Sequence, residues 1–245
     1  MCGTFARFFD QDPANLCKTG IGIVMIDTDE VDTLKRWDID VILDVGANMG
    51  QTGRALRKVG YEGRIVSFEP LPECFAKLSE HAAKDPLWDV RNLALSNRGG
   101  TAEFGVSQNL VSSSLLPATD ALIKAHEPVR YMRHDTVKLA RLDRIWSDVV
   151  PEGSRVHLKL DVQGAEAAVM NGARGVLAQI STVRMEVAVN EVYEGETILP
   201  DMIRKMTVLG FDVIGGWPAW RHPETNEVLH FDMLFRRKTL KPEGL

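Results

Sequence analysis

Five short strand-like runs stand out along the chain: Val41–Val45, Arg64–Glu69, Asp89–Leu93, Val156–Asp161 and Val183–Val189, each rich in Val, Ile or Leu. Runs this short, bounded by turn-forming residues, predict buried strands. Between them the apolar spacing widens to three and four. Gly50–Val59 places Ala55, Leu56 and Val59 on one side and stops at Gly60, while Pro72–Lys84 opens on proline and repeats Phe75, Leu78 and Ala82. Both read as helices. Strand alternating with helix predicts a parallel sheet, because parallel neighbours need a crossover. Ile198, Met202, Met206 and Leu209 form another helical stripe, ending at Gly210, a residue suited to a helix C-terminus. Then "FDVIGG" and "VLHFDMLFRR" predict two strands joined by "WPAWRHPETNE", with Leu229, Phe231, Met233 and Phe235 alternating against a more polar set. This late hairpin puts one antiparallel strand into the sheet. Residues 101–140, around Ser112, Ser113 and Ser114, break the alternation and predict a lid or acceptor-side loop, since long loops in compact domains usually serve function. Residues 1–38 are expected as an N-terminal extension packed on the core, with "DEVDTLKRW" a short helix under the sheet. Residues 39–245 then form one domain.

A chain of 245 residues suits one sizeable α/β domain better than two. No apolar run approaches the roughly 20 residues that a membrane-spanning helix needs, so no integral membrane segment is expected. The opening "MCGTFARFFDQDPANLCKTG" lacks the layout of a secretory signal. Cys2, Cys17 and Cys74 are odd in number and widely spaced, which predicts neither a disulfide framework nor a zinc site and points to the cytoplasm. Net charge is −5 and the basic residues are dispersed. A nucleic-acid surface is therefore not expected, and a small-molecule or glycan acceptor is.

The first strand runs into "DVGANMGQ". In an open parallel sheet, ligands bind beyond the carboxyl ends of the strands. A dinucleotide fingerprint needs G-x-G-x-x-G, whose middle glycine lets the pyrophosphate approach; Asn48 stands there, and no Walker loop occurs. S-adenosylmethionine (SAM), which carries no phosphate, fits better. Backbone N–H groups around Gly46, Asn48, Gly50 and Gln51 can meet its carboxylate, and Asp44 its ammonium group. Glu69, followed by Pro70 at the end of the second strand, is placed for the ribose hydroxyls. Ala94, after the third strand, borders the adenine.

"ILDVGANMGQTG", "IVSFEPLPECFAKL", "VRNLALSNRGGTAEF", "LARLDRIW" and "HLKLDVQGAEAAVMNGA", in this order across most of residues 41–173, resemble the FkbM family of SAM-dependent methyltransferases. The resemblance implies the α/β class I methyltransferase fold, Rossmann-like, with a mostly parallel seven-stranded sheet and a C-terminal antiparallel hairpin strand. It also implies methyl transfer to a hydroxyl, usually of a sugar or polyketide. The family commonly reads D-[VI]-E-G-x-E where this chain has Asp161-Val162-Gln163-Gly164-Ala165-Glu166, so the charge common at position 163 is absent.

Methyl transfer to an alcohol requires in-line alignment and removal of the hydroxyl proton. Asp161, ending the fourth predicted strand, is the first candidate base, and Glu186 on the fifth is the second. Two facing carboxylates could equally hold one Mg²⁺ ion. Glu166 reads as a helix-dipole partner, Asp143 as an N-cap, and His134 as a reserve base. "MCG" suits an N-terminal cysteine nucleophile, but no partner for one is apparent. The alternatives are an NAD(P)-dependent oxidoreductase with a degenerate glycine loop and a non-catalytic nucleoside-binding module.

Overall fold

The computed structural model describes residues 34–240; Cys2, Cys17 and the expected extension up to residue 33 lie outside them. In chain order the elements are β1 (Val41–Val45), α1 (Gln51–Lys58), β2 (Arg64–Phe68), α2 (Pro72–Ala82), β3 (Trp88–Arg91), β4 (Ala94–Leu95) and β5 (Gly100–Ser107). Then follow α3 (Asp120–Ala125), β6 (Tyr131–Ala140), α4 (Leu142–Val149), β7 (Val156–Leu160), α5 (Glu166–Gly172), β8 (Ile180–Ala188), α6 (Leu199–Val208), β9 (Phe211–Arg221) and β10 (Val228–Arg237).

Seven strands form the main sheet in the order β3-β2-β1-β7-β8-β10-β9. The chain has the α/β class I methyltransferase fold: the sheet is parallel except for β10, which runs antiparallel to both its neighbours. The order turns outward in both directions from β1, which pairs with β2 on one side and β7 on the other. That reversal opens a crevice at the carboxyl ends of the central strands.

Every side chain of β1 is buried, as a central strand covered on both faces requires. Val41, Leu43 and Val45 pack with Leu142, Met170 and Met206 on one face, and Ile42 packs with Leu56, Leu78 and Trp88 on the other. Burying each such side chain contributes roughly 1.5–3 kcal/mol. Leu34 and Trp37 close the second cluster from below, and residues 34–36 are helical. Strand periodicity puts Asp44 on the Ile42 face, in register with Ser67 of β2 and Lys159 of β7, which in turn faces Arg184 of β8. A buried polar row thus crosses the sheet directly beneath the crevice.

The structure differs from expectation in three places. Residues 101–140 are mostly regular: β5 and β6 pair antiparallel, and β4 joins β6 to make a three-stranded second sheet. Tyr131–Ala140 escaped the hydrophobic pattern because only Val137 and Leu139 are buried along it. The late hairpin is longer than expected, β9 continuing through Trp217 and Trp220 to Arg221. Asp143 lies inside α4, bonded to Arg141 and the Gly175 amide, and the N-cap position is Arg141. Among the described residues no helix is long and apolar enough to cross a membrane.

Candidate active site at the carboxyl edge of the sheet

The turn after β1 is built by residues that tolerate a left-handed backbone. Gly46 has φ 79°, and a Cβ there would lie 1.8 Å from the Asp161 carbonyl oxygen; only glycine fits. The Gly46 and Ala47 amides donate to the Phe68 carbonyl, tying the turn to β2. Asn48 is also left-handed, at φ 48°, and its side-chain oxygen accepts from the Met49 amide and from Gln51 Nε2. Gln51 Oε1 is buried without a hydrogen-bond partner.

Glu69 holds the second wall. Its Oε2 accepts the Asn48 amide and its Oε1 the Leu71 amide, both at 2.8 Å. Burial pushes its carboxyl up to about 7, against the two backbone hydrogen bonds that favour the ion. A carboxylate has about four acceptor sites, so two remain. Asn92 Nδ2 donates to the carbonyls of Glu69 and Pro70 and so fixes the chain leading to Ala94.

These residues open onto a cleft of about 750 Å³. Gly46, Asn48, Gln51, Glu69, Pro70 and Ala94 line it together with Asp161 and Glu186. Two of the expected cofactor residues stand behind the turn instead. Asp44 is fully buried, with Lys159 Nζ 3.1 Å from Oδ1 and Ser67 Oγ donating to Oδ2 at 3.3 Å. Gly50, at φ 84°, faces Leu78 and Trp88. Asp44 therefore meets an internal cation, because its place in β1 points it into the α1 face of the sheet.

Lys159 Nζ also lies 3.4 Å from Asp161 Oδ2. Burial alone would push the lysine down, but Asp44 and Asp161 more than offset it and raise it above its ordinary value. Gln163 Nε2 donates to Asp161 Oδ1 at 2.8 Å and to Glu186 Oε2 at 3.0 Å. Burial first, then the charges of Asp161 and Asp232, hold the Glu186 carboxyl well above the usual range. Arg184 pairs with Asp232 at 2.8 Å. The group set between the two carboxylates is the amide nitrogen, whose NH₂ is a hydrogen-bond donor and cannot ligate a cation. Among the described residues no three His, Cys, Asp or Glu side chains are grouped to hold a metal. The donor set does not fit a magnesium ion.

Glu166 is buried and accepts the Val162 amide at 3.0 Å, shaping the loop before α5; burial pushes it up to about 8. His134 sits exposed on β6 and is not part of the cleft.

Several lining residues gave no signal in the sequence reading. Lys159, Arg184 and Asp232 are charges inside strands, and that oddity was the available clue. Trp217 and Trp220 are three apart, which on a regular strand puts them on opposite faces. Here Trp217 pairs with Asp232 and Trp220 with His230, while Ala219 is skipped in a bulge. The extra residue turns both indoles toward the cleft.

Comparison with known proteins gives this arrangement a family. The family model for the methyltransferase FkbM domain matches residues 44–213. Methyltransferase sdnD of Sordaria araneosa is 29% identical over 201 residues, covering 73% of this chain and 76% of its own. The 2-O-methyltransferase NoeI of Sinorhizobium fredii is 25% identical over 184 residues, covering 73% and 74%. Among solved structures, TehB from Haemophilus influenzae superposes with a TM-score of 0.49 at 11% identity, over 88% of this chain and 63% of that one. Aeropyrum pernix fibrillarin, solved with natively bound S-adenosyl-L-methionine, gives 0.46 at 14% identity, over 80% and 66%. The family match takes in the turn after β1, Glu69, Asp161 and Glu186, and the chain belongs to the FkbM family of methyltransferases.

Proposed function

We propose that the protein is a SAM-dependent O-methyltransferase acting on a hydroxyl of a sugar, on a glycolipid, polysaccharide or glycosylated natural product, or of a polyketide. One observation carries this reading: a single cleft joins the glycine turn and Glu69 to the Asp161–Glu186 pair, so a cofactor held by the first presents its methyl group to an acceptor beside the second. When bound, SAM supplies an electrophilic methyl on a sulfonium.

This chain's residues do the rest. The amides of residues 46–50 are taken up within the fold, so the first amides of α1, beginning at Gln51, face the cofactor carboxylate, and Gln51 Oε1 offers an acceptor nearby. The two remaining acceptor sites of Glu69 take the ribose hydroxyls, and Pro70 and Ala94 flank the base. Asp161, beside the Lys159 ammonium, takes the acceptor proton, with Glu186 supporting it from the next strand. Trp217 and Trp220 favour a ring-shaped acceptor, because an indole face covers the C–H face of a ring. The Ser112–Ser114 turn is the acceptor-side cover. NoeI, by its name a 2-O-methyltransferase, supports oxygen as the methylated atom.

Calorimetry with SAM, S-adenosylhomocysteine (SAH) and NAD(H), followed by a labelled-methyl screen over glycans and polyketides read by mass spectrometry, tests this. SAM and SAH should bind and a hydroxyl should gain the label. Tight NAD(H) binding without response to SAM overturns the cofactor, and methylation confined to amines or carboxylates overturns the acceptor.

A further inference from the structure

Gln163 sits where three parts of the site meet. Its amide nitrogen spans Asp161 and Glu186. Its side-chain oxygen accepts from the Tyr193 hydroxyl at 2.8 Å, and that hydroxyl also lies 3.2 Å from the Ser112 carbonyl. Its backbone carbonyl accepts from Ser114 Oγ at 2.6 Å. The backbone here is left-handed, φ 53°, a conformation that persists in a non-glycine residue only where the surroundings impose it. Gly164 follows at φ 95°, and a Cβ there would lie 2.9 Å from Tyr193 Cβ. The two carboxylates, as acceptors, fix which way the amide points, and the Tyr193 hydroxyl donates to the oxygen left on its other side.

The orientation decides the chemistry. An amide NH₂ has two protons and satisfies one oxygen of each carboxylate without adding charge. A glutamate at this position would set a third carboxyl against two, and the cluster would then require a proton or a cation. We propose that Gln163 is the positioning residue of this site: its amide clamps Asp161 and Glu186 where facing carboxylates would otherwise call for a cation, and its bonds to Tyr193 and Ser114 fasten the Ser112–Ser114 turn to that pair. The proposal rests on the methyl-transfer reading for its kinetic consequence only. The other titratable and charged groups facing the pair are Lys159 from β7, Arg184 from β8, Asp232 and His230 from β10, Glu166 from α5, and Tyr193.

Full-length protein and the variants Gln163→Glu, Gln163→Leu and Tyr193→Phe test it. Three measurements are made: Mn²⁺ uptake by electron paramagnetic resonance, carboxyl titration by ¹³C NMR with Glu186→Gln for assignment, and the pH profile of kcat with SAH affinity alongside. The parent should take up no Mn²⁺ at this pair, and Gln163→Glu should gain weak uptake and move the pH profile upward. Gln163→Leu should change the Glu186 titration and lower kcat roughly 10- to 100-fold, with the SAH Kd within about twofold. Tyr193→Phe should show a smaller loss of the same kind, and it decides the matter if Gln163→Leu does not fold. Mn²⁺ at the pair in the parent overturns the proposal. So does a folded Gln163→Leu that keeps both kcat and the parent titration, or a Tyr193→Phe that does so when the leucine variant is lost. If the parent methylates no acceptor, the transfer reading fails, while uptake and titration still decide the clamp.

Discussion

Glu69 answers to two masters. It braces the glycine turn through two backbone amides, and in the proposed complex it also receives the ribose. Ribose hydroxyls donate to the ionised carboxylate, whereas burial pushes the Glu69 carboxyl up to about 7. Cofactor affinity should therefore fall as pH drops, by up to about eightfold between pH 7.5 and 6. Calorimetry of SAH across that range checks it, and Glu69→Gln should flatten the curve; a flat curve in the parent removes the ribose assignment. Asp161 poses the complementary question. Asp161→Asn keeps the shape while removing the proton acceptor, so turnover should fall roughly 10²- to 10⁴-fold with SAH affinity largely retained. Parent-rate turnover by that variant would send the search for the base elsewhere. Activity of the parent should be indifferent to EDTA, since an amide stands between the carboxylates.

The strands with intact apolar runs were legible in the sequence to within one to three residues. The exceptions have causes. β8 begins at Ile180 rather than Val183 because Ser181 and Thr182 look like a turn but are buried, Thr182 against His157. β6 hid because its charged face reads as loop. Glu69, Asp161 and Glu186 line the cleft they were expected to face, since position along a strand fixes where a side chain points. Asp44 was misjudged by one face, and the two tryptophans needed a bulge that no periodicity reveals. That bulge carries its own prediction. Deleting Ala219 would leave the tryptophans two apart on a regular strand and still on one face, so Trp217→Ala is the change that takes an indole out of the cleft. The acceptor KM should rise at least about tenfold, as expected for losing a large aromatic contact, while the SAH Kd holds. An unchanged KM would place the acceptor away from the β9–β10 hairpin.

At the scale of the whole molecule, the buried acids and bases set how stability follows pH. Glu69 and Glu166 are pushed from 4.5 up to about 7 and about 8, and Glu186 is raised well above its ordinary value, each chiefly by burial. The folded chain keeps these protons after the unfolded chain has lost them, so above about pH 4.5 they make stability fall as pH rises. Burial pushes His157 down to about 3 and His230 down to about 4. They stay neutral in the fold while the unfolded chain takes up protons below 6.5, so they make stability fall as pH drops. The histidine trend fades as pH rises through 6.5, so from pH 6.5 to 8 the glutamates increasingly dominate. Urea unfolding should show a loss of roughly 1–2 kcal/mol per pH unit over that range, partly reversed by SAH, which favours ionised Glu69. Stability that rises from pH 6.5 to 8 would contradict this.

The joint at Gly46 has a longer reach. Gly46 lies against the Asp161 carbonyl, its own carbonyl is 3.4 Å from Lys159 Nζ, and the Asp161 amide is bonded to Val45. The turn proposed to grip the cofactor and the carboxylate proposed to take the proton are thus one mechanical part, and neither can drift in evolution without dragging the other. The bulged end of β9 lies outside this joint. New acceptors can be admitted by rewriting that segment while the joint keeps its shape.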